Sequence, residues 1–301
     1  MVNPSLRRAP QNETEDMRKN VAADAGPGLR QAGPSAVINV GAGVHGIRKA
    51  VPSLVVVLAA LVLWEVLARS GTLPERWSPS ASSVFVTLAQ QVVTPSFWLA
   101  VGETLEGWAV GLGLATLIAV PLGLVVGSVP LLYHALRVPI EVLRPVPSVA
   151  LVPLAILIFG LGLSTKVFLV VFAASWPLLL QTIYGVQDVD PEAMDTMRSF
   201  GVGRLRRLVV VTLPSASPYV ATGLRLSSSV ALILAVTAEL VVGAPGLGSQ
   251  ITAAENGNST ATVYALIVAT GALGWALSAA IRVAERRTLS WHPAYRKPKA
   301  A

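Results

Sequence analysis

The sequence predicts an all-α polytopic membrane protein with about six transmembrane helices and one short cytoplasmic helix between the fourth and fifth. Three observations predict it. Of the 301 residues, 53% are hydrophobic and only 13% charged, against roughly 25% charged in an average soluble domain, and mean hydropathy is +0.64. Apolar runs of about 20 residues, enough to cross ~30 Å of hydrocarbon, recur along the chain. A single polar amphipathic island, residues 188–214, interrupts them.

Residues 1–45 are rich in Pro, Gly, Ala, Asn and charge and have no apolar period, so a disordered cytoplasmic tail is expected there. They lack the apolar centre of a signal peptide. The transmembrane domain is expected over 46–288. Its first span, Val51 to Ala68, follows Arg48 and Lys49, which marks the inner side. Pro74, Pro79 and Pro95, with Trp77 and Trp98, suit an outer surface segment carrying a short interfacial helix.

The second span, Leu99 to Val129, contains Gly107-xxx-Gly111 and Gly123-xxx-Gly127. Small residues four apart let helix backbones approach closely, and no phosphate-binding loop belongs inside a membrane span. The third apolar segment, Val138 to Phe159, begins with Glu141 and Arg144 and holds Pro139, Pro145, Pro147 and Pro153. Prolines at that density kink or unwind a helix, and freed carbonyls at membrane depth are tolerated only beside protein or a water-filled cavity. Arg144, Pro145, Pro147 and Pro153 are therefore candidate pathway residues; the alternative is a kinked helix facing lipid.

Lys166 to Val186 makes the fourth span and Ser215 to Val242 the fifth. Arg225 and Glu239 lie in the fifth, about 21 Å apart along a helix, so they cannot pair with each other there. A charge at mid-bilayer costs on the order of 3 kcal/mol, so each needs its own partner or water. Both are pathway candidates; the alternative puts Arg225 at the inner headgroups and Glu239 at the outer edge. Gly243 to Asn258 reads as a polar loop, Ala261 to Val283 as the sixth span, and 289–301 as a basic cytoplasmic tail.

The island between the fourth and fifth spans has its own logic. Asp190 can cap a helix that opens at Pro191, with Glu192 in its positive first turn. Ala193, Met194, Met197 and Phe200 share one face, and Gly201 can turn left-handed to end the helix. An apolar stripe is thus expected to face the aqueous side as a docking element. Arg204, Arg206 and Arg207 then lead to Leu208-Val-Val-Val and a break at Leu213-Pro214, where the chain re-enters the membrane.

This island resembles the cytoplasmic signature of ABC-importer permeases: Glu-Ala-Ala, three residues, Gly, nine residues, Ile, one residue, Leu-Pro. The spacing is met by Asp195-Thr196-Met197, Gly201, Val211 and Leu213-Pro214. The first triplet departs from the consensus, and the literal Glu192-Ala193 lies one turn early. A second match is the string from Arg144 to Gly162 followed by Lys166, which resembles permeases of the nitrate, taurine and aliphatic-sulfonate importer group. Thr222-Gly-Leu-Arg-Leu226 and Ala238-Glu-Leu240 resemble the same group.

The resemblance implies a permease subunit forming the path of a small solute, an anion such as sulfonate, taurine or nitrate. It implies as partners a separate ABC ATP-binding subunit, an extracytoplasmic solute-binding protein, a second copy of the permease and the lipid of the cell membrane. Residues implied in coupling to the ATPase are Glu192, Ala193, Met194, Asp195, Met197, Arg198, Phe200, Gly201, Arg204, Leu213 and Pro214.

No chemistry of its own is expected. The chain has no cysteine, and His45, His134 and His292 are scattered without ligand spacing, so no metal site is expected. Lys19, Lys49, Lys166, Lys297 and Lys299 each follow Arg, Thr or Pro, so none completes a phosphate-binding loop. There is no Gly-x-Ser-x-Gly and no His-Glu-x-x-His. An enzyme is not expected; ATP and its Mg would sit on the partner chain. A stand-alone secondary transporter or channel is the alternative, but its inverted repeats and coupling carboxylates are not evident.

The net charge of +7 fits basic cytoplasmic segments better than nucleic-acid binding, because no aromatic-interleaved basic face exists. With both termini inside, Arg69, Arg76 and Lys166 fall outside and Arg225 in a span. Every other Lys and Arg is cytoplasmic, together with the 188–207 island.

Overall fold

The computed structural model of the chain describes residues 44–71 and 77–289. The expected tails therefore lie outside the described residues, apart from Val44 and His45, which are already helical, and Leu289; Pro74 and Arg76 also lie outside them. The chain divides into two compact units, Met1–Leu58 and Ala59–Ala301. In the first, the described residues are helical; the helix bundle belongs to the second.

Among the described residues every regular element is helical. In order they are α1 (Val44–Arg69), α2 (Ala81–Val92), α3 (Pro95–Ser128), α4 (Pro130–Leu143), a 3₁₀ turn (Ser148–Leu151), α5 (Val152–Phe159), α6 (Leu163–Gln187), α7 (Pro191–Ser199), α8 (Arg204–Arg207), a π turn (Leu208–Thr212), α9 (Leu213–Val242), α10 (Leu247–Asn256) and α11 (Thr260–Thr288). Four helical stretches among them, α3, α6, the run Arg204–Asn256 containing α9, and α11, are long and apolar enough to cross a membrane, and α4 with the 3₁₀ turn and α5 makes a bent fifth. The expected first span lies within α1.

α6 is the central helix, with α3 packed along one side and α9 along another. Their shared core is built from Leu112, Ala115 and Ala119 of α3, Val170, Ala174, Leu178 and Ile183 of α6, and Ala231 and Ala235 of α9. The paired glycines of α3 set the spacing. Gly107 lies against Lys166, Gly111 against Val170, Gly123 against Thr182 and Gly127 against Val186. A methyl group on Gly123 would sit 2.7 Å from Thr182 Cβ, and one on Gly127 would sit 2.8 Å from Val186 Cβ. Side chains are therefore excluded at these positions, as the small-xxx-small reading expects. The same sequence offset separates all four pairs, so α3 and α6 run parallel. The segment between them must then return across the bundle.

That returning segment is broken into two helices, where prolines at this density are expected to kink or unwind the helix over 138–159. α4 and the helix beyond it meet at a bend of 84°. The reason is local: Arg144 is still helical, with its N–H on Ile140 O, but Pro145 and Pro147 have no N–H to continue the ladder and Pro147 turns extended at ψ 115°, so the helix ends there. Pro153 sits in the first turn of α5, where a missing N–H is harmless. Val152 and Ala155 then bury against Leu169 of α6 and Ala238 and Val242 of α9.

The expected short helix of the outer segment is α2, capped by Ser80, whose hydroxyl accepts from Ser83 N at 3.4 Å. Glu65 of α1 accepts from the backbone N–H of Ser82 at 3.0 Å and from its hydroxyl at 2.8 Å, which ties α1 to α2. The expectation of a polar loop over 243–258 is corrected: α10 occupies most of it. Leu247 and Ile251, one turn apart, bury against Phe97 and Ala100 of α3 and Leu266 and Ala269 of α11, and this apolar pair is what makes the helix worth forming.

Candidate coupling segment and translocation path

The coupling candidate is the chain from Asp188 to Thr212. Asp188 ends α6 and accepts the Tyr219 hydroxyl of α9 at 2.7 Å, so the entry to the segment is fastened to the next span. Asp190 Oδ1 accepts from Glu192 N at 2.9 Å, and Pro191 opens α7 as expected. At the other end Gly201 adopts φ +68°. Val202 N donates to Met197 O at 3.0 Å and Gly201 N to Arg198 O at 2.9 Å, the two bonds of a Schellman motif. A helix of nine residues is too short to persist on propensity alone, and closure at both ends compensates.

The apolar stripe divides. Ala193, Met194 and Met197 are half-buried, and Met194 lines a cavity of about 670 Å³ with Leu124 and Val125 of α3 and Arg198, Arg204 and Arg207. Phe200 stays 80% exposed, and so does Leu205. The segment thus turns most of its stripe toward its own bundle and offers Phe200 and Leu205 outward. Leu205 was not anticipated; its only signal is a leucine set among arginines. Glu192, Asp195 and Arg198 are exposed, and the Asp195–Arg198 pair at 2.9 Å is a surface contact worth little.

The break expected at Leu213-Pro214 is absent. The chain stays helical from Arg204 onward, because the π turn at Leu208–Thr212 carries Leu213 N to Leu208 O and its wider ring absorbs the donor that Pro214 lacks.

The charged residues of the spans go to separate places. Lys166, expected outside, is 1% exposed and Glu239 0%. The Lys166 ammonium donates to Glu103 O at 2.8 Å, Pro245 O at 2.8 Å and Glu239 Oε1 at 3.1 Å. Its three N–H groups are all used. Glu239 Oε2 accepts from Thr104 Oγ1 at 3.0 Å and Gly248 N at 2.9 Å, and Thr104 accepts from Leu247 N at 2.9 Å. The network joins α3, α6, α9 and α10, and burial of both charges is tolerable because every lone pair and proton that matters is met. Gly246, at φ +149°, lies against the Glu239 carboxylate where a side chain would collide.

Arg225 instead approaches Glu285 of α11 at 3.5 Å. Each of the two charges of α9 thus has its own partner, as the helix spacing requires. Arg144 stands at the α4–α5 break beside a cavity of about 620 Å³ between α6 and α9, which neither Arg225 nor Glu239 lines. Pro145 and Pro147 shape the break, and Pro153 lies beyond it.

Residues 119–290 match the family described as the binding-protein-dependent transport system inner membrane component. The chain is 28% identical over 250 residues to the taurine transport system permease protein TauC of Escherichia coli, covering 81% of this chain and 91% of that one. It is 27% identical over 241 residues to the nitrate import permease protein NrtB of Leptolyngbya laminosa, covering 78% and 86%. It is 26% identical over 239 residues to the putative aliphatic sulfonates transport permease protein SsuC of Bacillus subtilis, covering 78% and 85%. In fold it resembles a chain of the inward-facing MetNI methionine ABC transporter, with TM-score 0.55 and 20% identity over 67% of this chain and 99% of that one. With its long apolar helices and a match over more than half its length, the chain belongs to the inner-membrane components of binding-protein-dependent transport systems and is a multi-pass permease subunit of the ABC-importer type.

Proposed function

We propose that this permease carries a small anion, of the class that includes taurine, alkanesulfonates and nitrate, and is driven by a separate ATPase docked on residues 190–207. The observation that carries the coupling half is the doubly closed helix α7, whose neighbours Phe200 and Leu205 are each 80% exposed. Two large apolar side chains held outward on a rigid, polar segment suit a helix-in-groove contact. The anion half is supported by the relatives named for taurine, nitrate and sulfonate import. A second copy completes the path, a solute-binding protein delivers the solute, and the 190–207 segment and both termini lie in the cytoplasm, where ATP is.

The test is reconstitution. Purified with the candidate ATPase subunit and placed in liposomes with a solute-binding protein, the permease is expected to take up taurine, ethanesulfonate or nitrate only when ATP is present on the face carrying residues 190–207. Uptake by the permease alone would support the stand-alone transporter instead.

A further inference from the structure

We propose that the cavity at the α4–α5 break is a binding station for a small oxyanion in transit, with Arg144 as its cationic anchor; this rests on the anion-importer reading above.

Three features of the molecule lead there. First, the cavity lies along the contact between α6 and α9. Its lining runs from Trp176, near the midpoint of α6, to Tyr184, about one turn from the end of that helix, and takes in Ser229 near the midpoint of α9, so it extends from mid-bundle toward the end of α6 that leads into the coupling segment. A solute moving along the α6–α9 contact passes it. Second, Arg144 is exposed, and among the described residues no carboxylate lies within ion-pair distance of it. The other cations of the central spans are matched, Lys166 with Glu239 and Arg225 with Glu285. A guanidinium with no carboxylate beside it is a ready partner for an anion. Third, the remaining polar lining can donate hydrogen bonds: Ser148, Gln181, Tyr184 and Ser229 surround the cavity. The buried indole N–H of Trp176, which also borders a smaller apolar cavity, has no acceptor among the described residues.

The chemistry fits a planar or tetrahedral oxyanion. A guanidinium presents parallel N–H groups that match two oxygens of a nitrate or sulfonate, and hydroxyl, amide and indole donors can meet the third. A volume of about 620 Å³ falls within the range of small-molecule sites. The proline-forced bend is what places Arg144 here, at the end of α4 beside α6 and α9. The absence of acidic side chains from the lining leaves nothing to neutralise the guanidinium permanently, so the anion can also leave.

The experiment uses the assembled importer in proteoliposomes, with taurine, ethanesulfonate and nitrate as probes and a neutral sugar as control. Arg144→Gln is expected to lower uptake of the anions roughly tenfold to hundredfold, as loss of a charge-assisted contact does, while co-purification with the ATPase subunit and the thermal unfolding midpoint hold. Arg144→Lys keeps the charge and is expected to recover a substantial part of the uptake with a raised half-saturating concentration. Undiminished anion uptake by Arg144→Gln removes the station while leaving the importer reading intact. Equal inactivity of the Gln and Lys variants also removes it, because the charge is then not what the solute meets. If the wild-type importer moves the neutral solute and none of the anions, the anion reading falls and the station falls with it.

Discussion

Lys166 Nζ stands 3.1 Å from Glu239 Oε1, with both side chains closed to solvent, and the pair joins the start of α6 to the end of α9. Around it the carbonyls of Glu103 and Pro245 and the amide of Gly248 complete the coordination. Removing one member leaves the other buried and uncompensated. Lys166→Met or Glu239→Leu is therefore expected to destabilise the protein by roughly 3–5 kcal/mol, and the double variant by less than the sum. Thermal unfolding of the purified single and double variants measures this, and additive losses would show that the charges do not act as a pair.

Gly201 is held at φ +68° by the Schellman bonds. Gly201→Val forces a β-branched residue into that region at roughly 1–2 kcal/mol. The expected result is a normal amount of protein in the membrane but less solute moved per ATP hydrolysed. Coupled assays of uptake and phosphate release check it, and an unchanged ratio would argue against a coupling role.

Phe200 and Leu205 are the outward apolar groups of the segment. Phe200→Asp and Leu205→Asp are expected to lower ATPase-subunit co-purification about tenfold or more, as hot-spot truncations do. Met197→Asp disturbs a half-buried side chain, so it should also lower the thermal midpoint of the permease alone. Intact complexes in all three variants would place the docking surface elsewhere.

Gly127 touches Val186 across the α3–α6 contact. Gly127→Leu is expected to separate the helices and destabilise by about 1–3 kcal/mol or more, whereas Gly102→Leu, where nothing lies within 4 Å of the added carbon, should be nearly neutral. Paired unfolding measurements decide this, and equal effects would mean that the close approach does not matter.

Much of this was legible in the chain because apolar length and helix punctuation are local signals. The N-cap at Asp190, the turn at Gly201 and the glycine pairs of α3 follow from residues within a few positions of one another. What escaped depends on distant partners. Lys166 looks like an exposed cation until Glu239 and two carbonyls arrive from other helices. Residues 243–258 look like a loop because Leu247 and Ile251 reveal their burial only against α3 and α11. Pro214 looks like a helix end because a π turn, which can accommodate it, has no composition signature. The split of the α7 stripe, with Met194 inward and Phe200 outward, required knowing where the end of α3 lies.

The unvarying register between α3 and α6 limits how this protein can move. Side chains of Lys166, Val170, Thr182 and Val186 seat on Gly107, Gly111, Gly123 and Gly127 over most of the bundle's height, so sliding by even one residue would set them against residues that carry side chains. Those helices must travel as a single rigid plate, and α9, locked on by the Lys166–Glu239 pair, travels with them. A change of shape within this chain therefore has to fall outside that plate, and the bend at Arg144–Pro147 is the joint that interrupts the helices there.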